Sequence, residues 1–214
     1  MTQGETAGNH FKAEFNGFSL WRRQGIQPGI KGAVEEPFPF RYPQELEQWF
    51  SLRSGRRVLL RPYRAGDEKT YRDLFSKLTI QDIWFRYFSI LKDAPKFELN
   101  KFRNINYAAD LIFIANAVDR GKAPQVIGVV GLSFDAKRSI AEFALIVRTD
   151  QKRRGLGKIM LNKVIGYARC QGYKWLVAEV LATNVAMLNM SVPLGFEQHH
   201  IPDDGTVTIC LNLS

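Results

Sequence analysis

The stretch Val147-Arg-Thr-Asp-Gln-Lys-Arg-Arg-Gly-Leu-Gly-Lys158 constrains this chain more than any other. A β-patterned run, Ala141 to Arg148, ends in a short polar turn, and Gly155 and Gly157 then open a helix-patterned segment. Strand, basic glycine-rich turn and helix, in that order, make an anion site. Glycine lets the main chain approach closely, the exposed N-terminal amides point at the anion, and the helix dipole adds favourable charge. Lys152, Arg153, Arg154 and Lys158 place four positive charges in the same turn. The expected anion is a pyrophosphate-bearing cofactor. The bland alternative is a helix start with a chance pair of glycines and a solvated basic turn.

The kind of phosphate loop is narrowed by what the segment lacks. It has no Gly-Lys-Ser/Thr ending, so nucleotide hydrolysis has little support. It has two glycines spaced i and i+2 instead of the three-glycine dinucleotide fingerprint. Downstream, Asn184-Val-Ala-Met-Leu-Asn-Met-Ser-Val-Pro-Leu-Gly-Phe196 places a polar Asn before a helix-patterned run that stops near Gly195. Read plainly, this is an amphipathic helix with Met187, Leu188 and Met190 facing a core.

Together the two segments resemble the GNAT acyltransferase superfamily, over roughly residues 57 to 212. Its acyl-CoA loop is written Gln/Arg-x-x-Gly-x-Gly/Ala. Lys152 stands in the Gln/Arg place, a departure that keeps a long polar donor, and Gly155 and Gly157 follow in register. The resemblance implies that the amides of Arg153, Arg154, Gly155, Leu156, Gly157 and Lys158 hold a pyrophosphate. It also implies that Asn184 helps order the pantetheine arm, with Met187 on the helix beside it. The family's sheet splays between the strand before the loop and the strand after the loop helix, so the pantetheine would use backbone groups around Ile146 and Val147. Acetyl-CoA is the implied cosubstrate.

At 214 residues the chain is long enough for one substantial core and short for two. Its 45% apolar and 24% charged composition is that of a soluble globular protein. No run approaches a membrane span and no charged-then-apolar leader marks secretion, so a cytoplasmic address is expected and no membrane partner. Cys170 and Cys210 make no disulfide framework, and His10, His199 and His200 form no metal spacing with them, so no metal is expected. The net charge of +9 favours anionic partners, part of it being the loop. Nucleic acid has no supporting motif.

Residues 1 to 44 read as an N-terminal arm, partly extended and punctuated by Pro28, Pro37, Pro39 and Pro43. Residues 45 to 214 read as one domain. Glu45 to Leu52 and Arg57 to Tyr63 are predicted as a hairpin across Ser54-Gly55. Asp67 is a candidate N-cap for a helix carrying Tyr71, Leu74, Phe75 and Leu78. Thr79 is a candidate cap for the next, which packs Ile83, Trp84, Tyr87 and Phe88. A short helix about residues 95 to 105 follows, then strands at Ala108 to Val118, Val126 to Phe134 and Ala141 to Arg148. Gly155 to Cys170 is a helix, Tyr173 to Val180 a strand, and Phe196 to Ile201 and Thr206 to Leu213 close the sheet. The order predicts an α+β fold with a mixed, mainly antiparallel sheet flanked by helices.

Amine acylation needs a neutral amine, a group to take its proton and donors to polarise the thioester carbonyl. Glu142 is the only acid in the apolar strand Ala141-Glu-Phe-Ala-Leu-Ile-Val147 and is the candidate base; otherwise it is a solubility residue on an exposed strand edge. Many superfamily members place a tyrosine general acid where Ser191 stands here. Tyr167 and Tyr173 are possible substitutes. Cys170, late in a helix, reads as core rather than nucleophile.

Arg41-Tyr-Pro-Gln-Glu-Leu-Glu-Gln-Trp, Ser54-Gly-Arg-Arg-Val-Leu-Leu-Arg-Pro-Tyr-Arg-Ala-Gly-Asp67 and Leu78-Thr-Ile-Gln-Asp-Ile-Trp-Phe-Arg-Tyr-Phe88 resemble the acetyltransferase domain of Pat-type bacterial protein lysine acetyltransferases. The matching strand of that family carries its catalytic glutamate, here Glu142. The likeness implies a protein substrate, an AMP-forming acyl-CoA synthetase such as acetyl-CoA synthetase, acetylated on lysine. A small-amine acetyltransferase and a non-catalytic acyl-CoA-binding regulatory module are the alternatives.

Overall fold

In the computed structural model of the chain, the residues described are 42–94, 96, 98, 99, 107, 110–121, 123–201 and 204–214. The expected arm therefore lies almost wholly outside them, as does most of the helix expected about 95 to 105.

The chain enters through a short 3-10 turn, Gln44–Leu46, where the sequence pattern reads as strand. Strand β1, Gln48–Ser51, then turns back through Gly55, at φ +78°, into β2, Arg57–Pro62. This is the expected hairpin, with Ser51 opposite Arg57. Helix α1, Glu68–Phe75, buries Tyr71, Leu74 and Phe75. Asp67 stands at its N-cap position but does not cap it with its side chain. The carboxylate instead accepts both guanidinium arms of Arg61, at 2.7 and 2.8 Å, and the Arg64 amide at 3.0 Å. A bidentate charged pair is stronger than a neutral cap bond, so the arginine wins the aspartate.

Helix α2, Ile80–Tyr87, begins in a full capping box, with the Thr79 hydroxyl accepting from the Asp82 amide and the Asp82 carboxylate accepting from the Thr79 amide. Ile83 is buried, but Trp84, expected to pack beside it, is 41% exposed. Phe88 closes the helix in the left-handed region.

Strands β3, Asp110–Ala117, β4, Gln125–Asp135, and β5, Ile140–Val147, run up and down in sequence. The β4–β5 turn is pinned by Asp135, whose carboxylate accepts from the amides of Lys137 and Arg138. Helix α3, Leu156–Cys170, crosses to β6, Trp175–Leu181. Helix α4, Val185–Ser191, with a 3-10 turn ending at Gly195, leads to β7, Glu197–Ile201, and β8, Thr206–Asn212. Among the described residues, eight strands form one sheet in the order β1-β2-β3-β4-β5-β6-β8-β7. Every pairing is antiparallel except β5 with β6. This is the mixed, mainly antiparallel α+β fold that the pattern predicts.

Each face of the sheet builds its own core. Ala141 and Phe143 of β5 join Leu156, Met160, Leu161 and Val164 of α3 on one face. Ile146 joins Tyr71, Leu74, Ile83, Ile112 and Val129 under α1 and α2 on the other. Strand periodicity of two therefore sends odd-numbered β5 side chains to α3 and even-numbered ones to α1 and α2. At ~1.5–3 kcal/mol for each fully buried aliphatic or aromatic side chain, the central strands dominate the stability of the domain.

Candidate active site

Among the described residues, the single parallel contact in the sheet is also its shortest ladder. Strand β5 meets β6 at Ile140/Trp175, Ala141/Leu176 and Glu142/Val177, and the pairing stops there. On their other sides β5 stays paired to β4 as far as Val147, and β6 to β8 as far as Leu181. Beyond Glu142 the two strands thus diverge into a notch walled by residues 143–147 and 178–181.

Hydrogen-bond parity says which peptide groups line this notch. The Arg148 amide donates to the Ile127 carbonyl at 2.9 Å, and the β4–β5 register runs without a bulge. Alternation along an antiparallel pair then commits the peptide groups of Ile146, Ala144 and Glu142 to β4, and turns those of Val147, Leu145 and Phe143 toward β6. Of the two residues named from sequence, Val147 faces the notch through its backbone. Ile146 belongs to the β4 ladder and contributes its side chain to the α1/α2 core.

The loop at the mouth of the notch is held from below. The Arg148 guanidinium donates twice to Asp150, at 2.6 and 2.8 Å, and this holds the Asp150 carboxyl at about 2. Arg56 donates to the buried Gln151 and pairs with Asp119. The chain then passes through Lys152, Arg153 at φ +59° and Gly155 at φ +86°, and α3 starts at Leu156. A Cβ on Gly155 would meet open space, so its backbone conformation, not crowding, requires glycine there. At Gly157 a Cβ would lie 3.0 Å from the Met190 sulfur and 3.8 Å from Leu145, so this glycine brings α3 close to α4 and β5.

Arg153, Arg154 and Lys158 are exposed around these first amides of α3. Lys152 is also exposed, but its ammonium pairs with Asp82, which takes the Thr149 hydroxyl as well. Burial pushes Asp82 up, and the bonds from Lys152 and Thr149 outweigh it, leaving the carboxyl below its ordinary value. The loop is thereby tied to the cap of α2, a contact that no local motif announces. Leu156 sends its side chain into the core, leaving its backbone at the helix start.

Glu142 sits at the apex of the notch, on an interior strand, and is 3% exposed. The exposed-edge alternative is thus overturned. Its side chain lies on the α1/α2 face, and its charge is one of those acting on the buried Arg86 of α2. On the far wall, Asn184 caps α4 by accepting from the Met187 amide at 3.3 Å. Met187, Leu188 and Met190 pack against the α3-side core as the periodicity predicts.

The candidate acids fare differently. Ser191 is fully buried; its hydroxyl donates to the Leu188 carbonyl at 2.8 Å and accepts from Gln198. Tyr167 and Tyr173 pack against Phe134, which pairs with Ala141 at the closed end of the β5–β6 ladder. Both rings thus lie beside the closed end of that ladder. Cys170 is exposed, contrary to its reading as core. Glu197, His199 and Cys210 do come within 4.8 Å of one another, although no spacing in the sequence brings them together. The cause is cross-strand: Glu197 pairs with Cys210, and His199 follows two residues on along the same face. The Cys210 thiol is wholly buried, and burial, with Glu197 nearby, pushes it up to about 12.

A sheet split at one parallel contact, with a glycine loop and a helix start at its mouth, defines an acyl-CoA-binding acetyltransferase fold. The acetyltransferase (GNAT) family matches residues 77–196, more than half of the chain, and the chain belongs to that family. It is similar to an acetyltransferase of Pseudomonas aeruginosa, 28% identical over 166 residues, which span 77% of this chain and 89% of that protein. The GNAT domain of S. lividans PAT shares the fold with a TM-score of 0.72 at 21% identity, over 80% of this chain and 99% of that one. The spermidine N-acetyltransferase of Vibrio cholerae, solved with CoA and spermine, gives 0.60 at 16% identity, over 73% and 95%. A GNAT fold binds acetyl-CoA or CoA, and the site's chemistry fits that donor: unpaired-helix amides and exposed cations for the phosphates, notch-facing peptide groups for the arm. No helix among the described residues is long and apolar enough to cross a membrane.

Proposed function

We propose that this protein is an acetyl-CoA-dependent protein N-ε-lysine acetyltransferase with Glu142 as general base, acting on an AMP-forming acyl-CoA synthetase such as acetyl-CoA synthetase. The observation that carries the reading is the place of Glu142, buried at the apex of the notch where β5 and β6 part. An incoming lysine is mostly ammonium near neutrality, since its ordinary pKa is about 10.4. Glu142, directly or through a water, takes a proton from it. The amine nitrogen then bonds to the thioester carbonyl carbon, the carbon–sulfur bond breaks with CoA leaving as thiolate, and the second proton on nitrogen passes to solvent, leaving the neutral amide. The notch-facing amides of Leu145 and Val147 polarise the carbonyl. The amides of residues 153–158 position the pyrophosphate, and Asn184 and Met187 border the pantetheine arm. Ser191 takes no part, because its hydroxyl is already engaged. Residues 45 to 214 carry this activity, in the cytoplasm, where donor and acceptor must both reach the enzyme.

The likeness to the S. lividans PAT domain supports a protein acceptor. The likeness to the spermidine acetyltransferase supports a second reading, a small amine as acceptor. CoA release measured side by side with acetyl-CoA synthetase and with spermidine separates them. Faster release with the synthetase, accompanied by acetylation of one of its lysines, supports the protein reading. Release with spermidine alone overturns it, and acetyl-CoA binding with no release from either acceptor favours a binding module.

A further inference from the structure

The loop in front of α3 divides in two. Its first part is committed to protein partners: Gln151 accepts from Arg56 at 2.9 Å, Asp150 accepts from Arg148, and Thr149 and Lys152 both reach Asp82 of α2. Its second part carries Arg153 and Arg154, exposed, and leads to the exposed Lys158 in the first turn of α3. The division falls at Lys152, which stands where the family's loop carries Gln or Arg. Asp82 is the acceptor on the other side. Its Oδ2 takes the Thr79 amide at 3.0 Å and the Thr149 hydroxyl, its Oδ1 takes the Lys152 ammonium, and its side chain is 3% exposed. The Thr79 amide also donates to the Thr149 hydroxyl at 3.3 Å. One carboxylate is thus both the capping-box partner of α2 and the anchor of the loop. Helix α2 in turn packs on β5 and sends Ile83 into the same core as Ile146.

We propose that Lys152 is a strut of the donor loop and not a ligand of the phosphates, and that Asp82 is the positioning residue that holds it; the proposal rests on the reading of residues 153–158 as the pyrophosphate site. A buried carboxylate stripped of its cation keeps its desolvation penalty with nothing to offset it. An ammonium drawn away to a phosphate would leave Asp82 in that state. Arg153, Arg154 and Lys158 stand exposed around the first amides of α3 and meet the anion instead. Asp82 acts through the loop. With Thr149 and Lys152 fixed on α2, the amides that follow are already aimed when the donor arrives, so less ordering entropy is lost on binding.

The test is calorimetric titration of the full-length protein with acetyl-CoA, with no acceptor present, so that the assignment of the base plays no part. Asp82→Asn, which keeps a capping oxygen but loses the charge, weakens binding roughly tenfold, and Lys152→Met does the same. The double variant Asp82→Asn/Lys152→Met is no weaker than either single one, because both act through one pair. Lys152→Arg keeps the pair and binds within about twofold of the parent. Thr79→Ala weakens the cap of α2 but leaves the pair; it lowers Tm and leaves binding near the parent value. Should Asp82→Asn not fold, Thr149→Val decides, with binding weakened roughly threefold to fivefold. Binding at the parent level or tighter in Asp82→Asn, the freed ammonium now meeting the phosphates, overturns the proposal. So do losses that multiply in the double variant, a Thr79→Ala loss as large as that of Asp82→Asn, or parent-level binding in Thr149→Val. A parent that does not bind acetyl-CoA removes the donor-site reading and the strut with it, whereas a parent that binds no better than Asp82→Asn removes the strut alone.

Discussion

Glu142 and Val177 form the last pair of the β5–β6 ladder, and from that pair onward the two strands part. The candidate base is therefore also the hinge point of the donor cleft, with the notch-facing peptide groups of Leu145 and Val147 directly above it. Hydrogen exchange reads this arrangement. Added acetyl-CoA slows exchange at the Leu145 and Val147 amides and at the first amides of α3, while Ile146, already bonded to β4, is slow in both states.

The two loop glycines are expected to respond differently. Gly155→Ala forces a side chain into the left-handed region at φ +86°, costing about 1–2 kcal/mol. It lowers Tm and weakens acetyl-CoA binding together. Gly157→Ala meets the flexible Met190 side chain at 3.0 Å and Leu145 at 3.8 Å, the latter an ordinary contact, and alanine in a helix gains up to ~1 kcal/mol over glycine. Its Tm stays level or rises, as thermal melts of the pair will show.

Asp150 makes part of the loop's stability pH-dependent. The Arg148 hydrogen bonds lower its folded pKa to about 2, from an ordinary 3.8. A depressed carboxyl contributes stability above its unfolded value and loses it as pH falls through the folded one. The difference in Tm between parent and Asp150→Asn should hold from neutrality down to about pH 5 and shrink as pH falls toward about 2.

The two cysteines should separate under alkylation. Cys170 is exposed, whereas Cys210 is buried with its thiol pushed up to about 12. The folded protein takes one iodoacetamide adduct at mildly alkaline pH, at Cys170. Peptide mapping finds the second, at Cys210, only after unfolding.

What the sequence discloses here is what local physics decides. The Thr79 cap, the strand periods and the Val147–Lys158 loop depend on neighbours a few residues away, and each appears in the structure as read. The Asp67 cap fails because Arg61 reaches it across a turn with a stronger, bidentate claim. Trp84 lies on the right helix but the wrong side of it. Gly128 gives no signal in the sequence, yet a Cβ there would fall 2.9 Å from the Met160 sulfur, so α3 needs that glycine to seat on β4. The tie from Lys152 to Asp82 and the buried Arg86–Glu98 pair join segments that only the fold brings together.

The account stands most directly on intact-mass measurement of acetyl-CoA synthetase incubated with acetyl-CoA and either the parent protein or Glu142→Gln. The expected result is a gain of one acetyl group with the parent and transfer slowed by roughly 10²–10⁴-fold in the variant, with acetyl-CoA binding unchanged. Transfer by Glu142→Gln at the parent rate would contradict it.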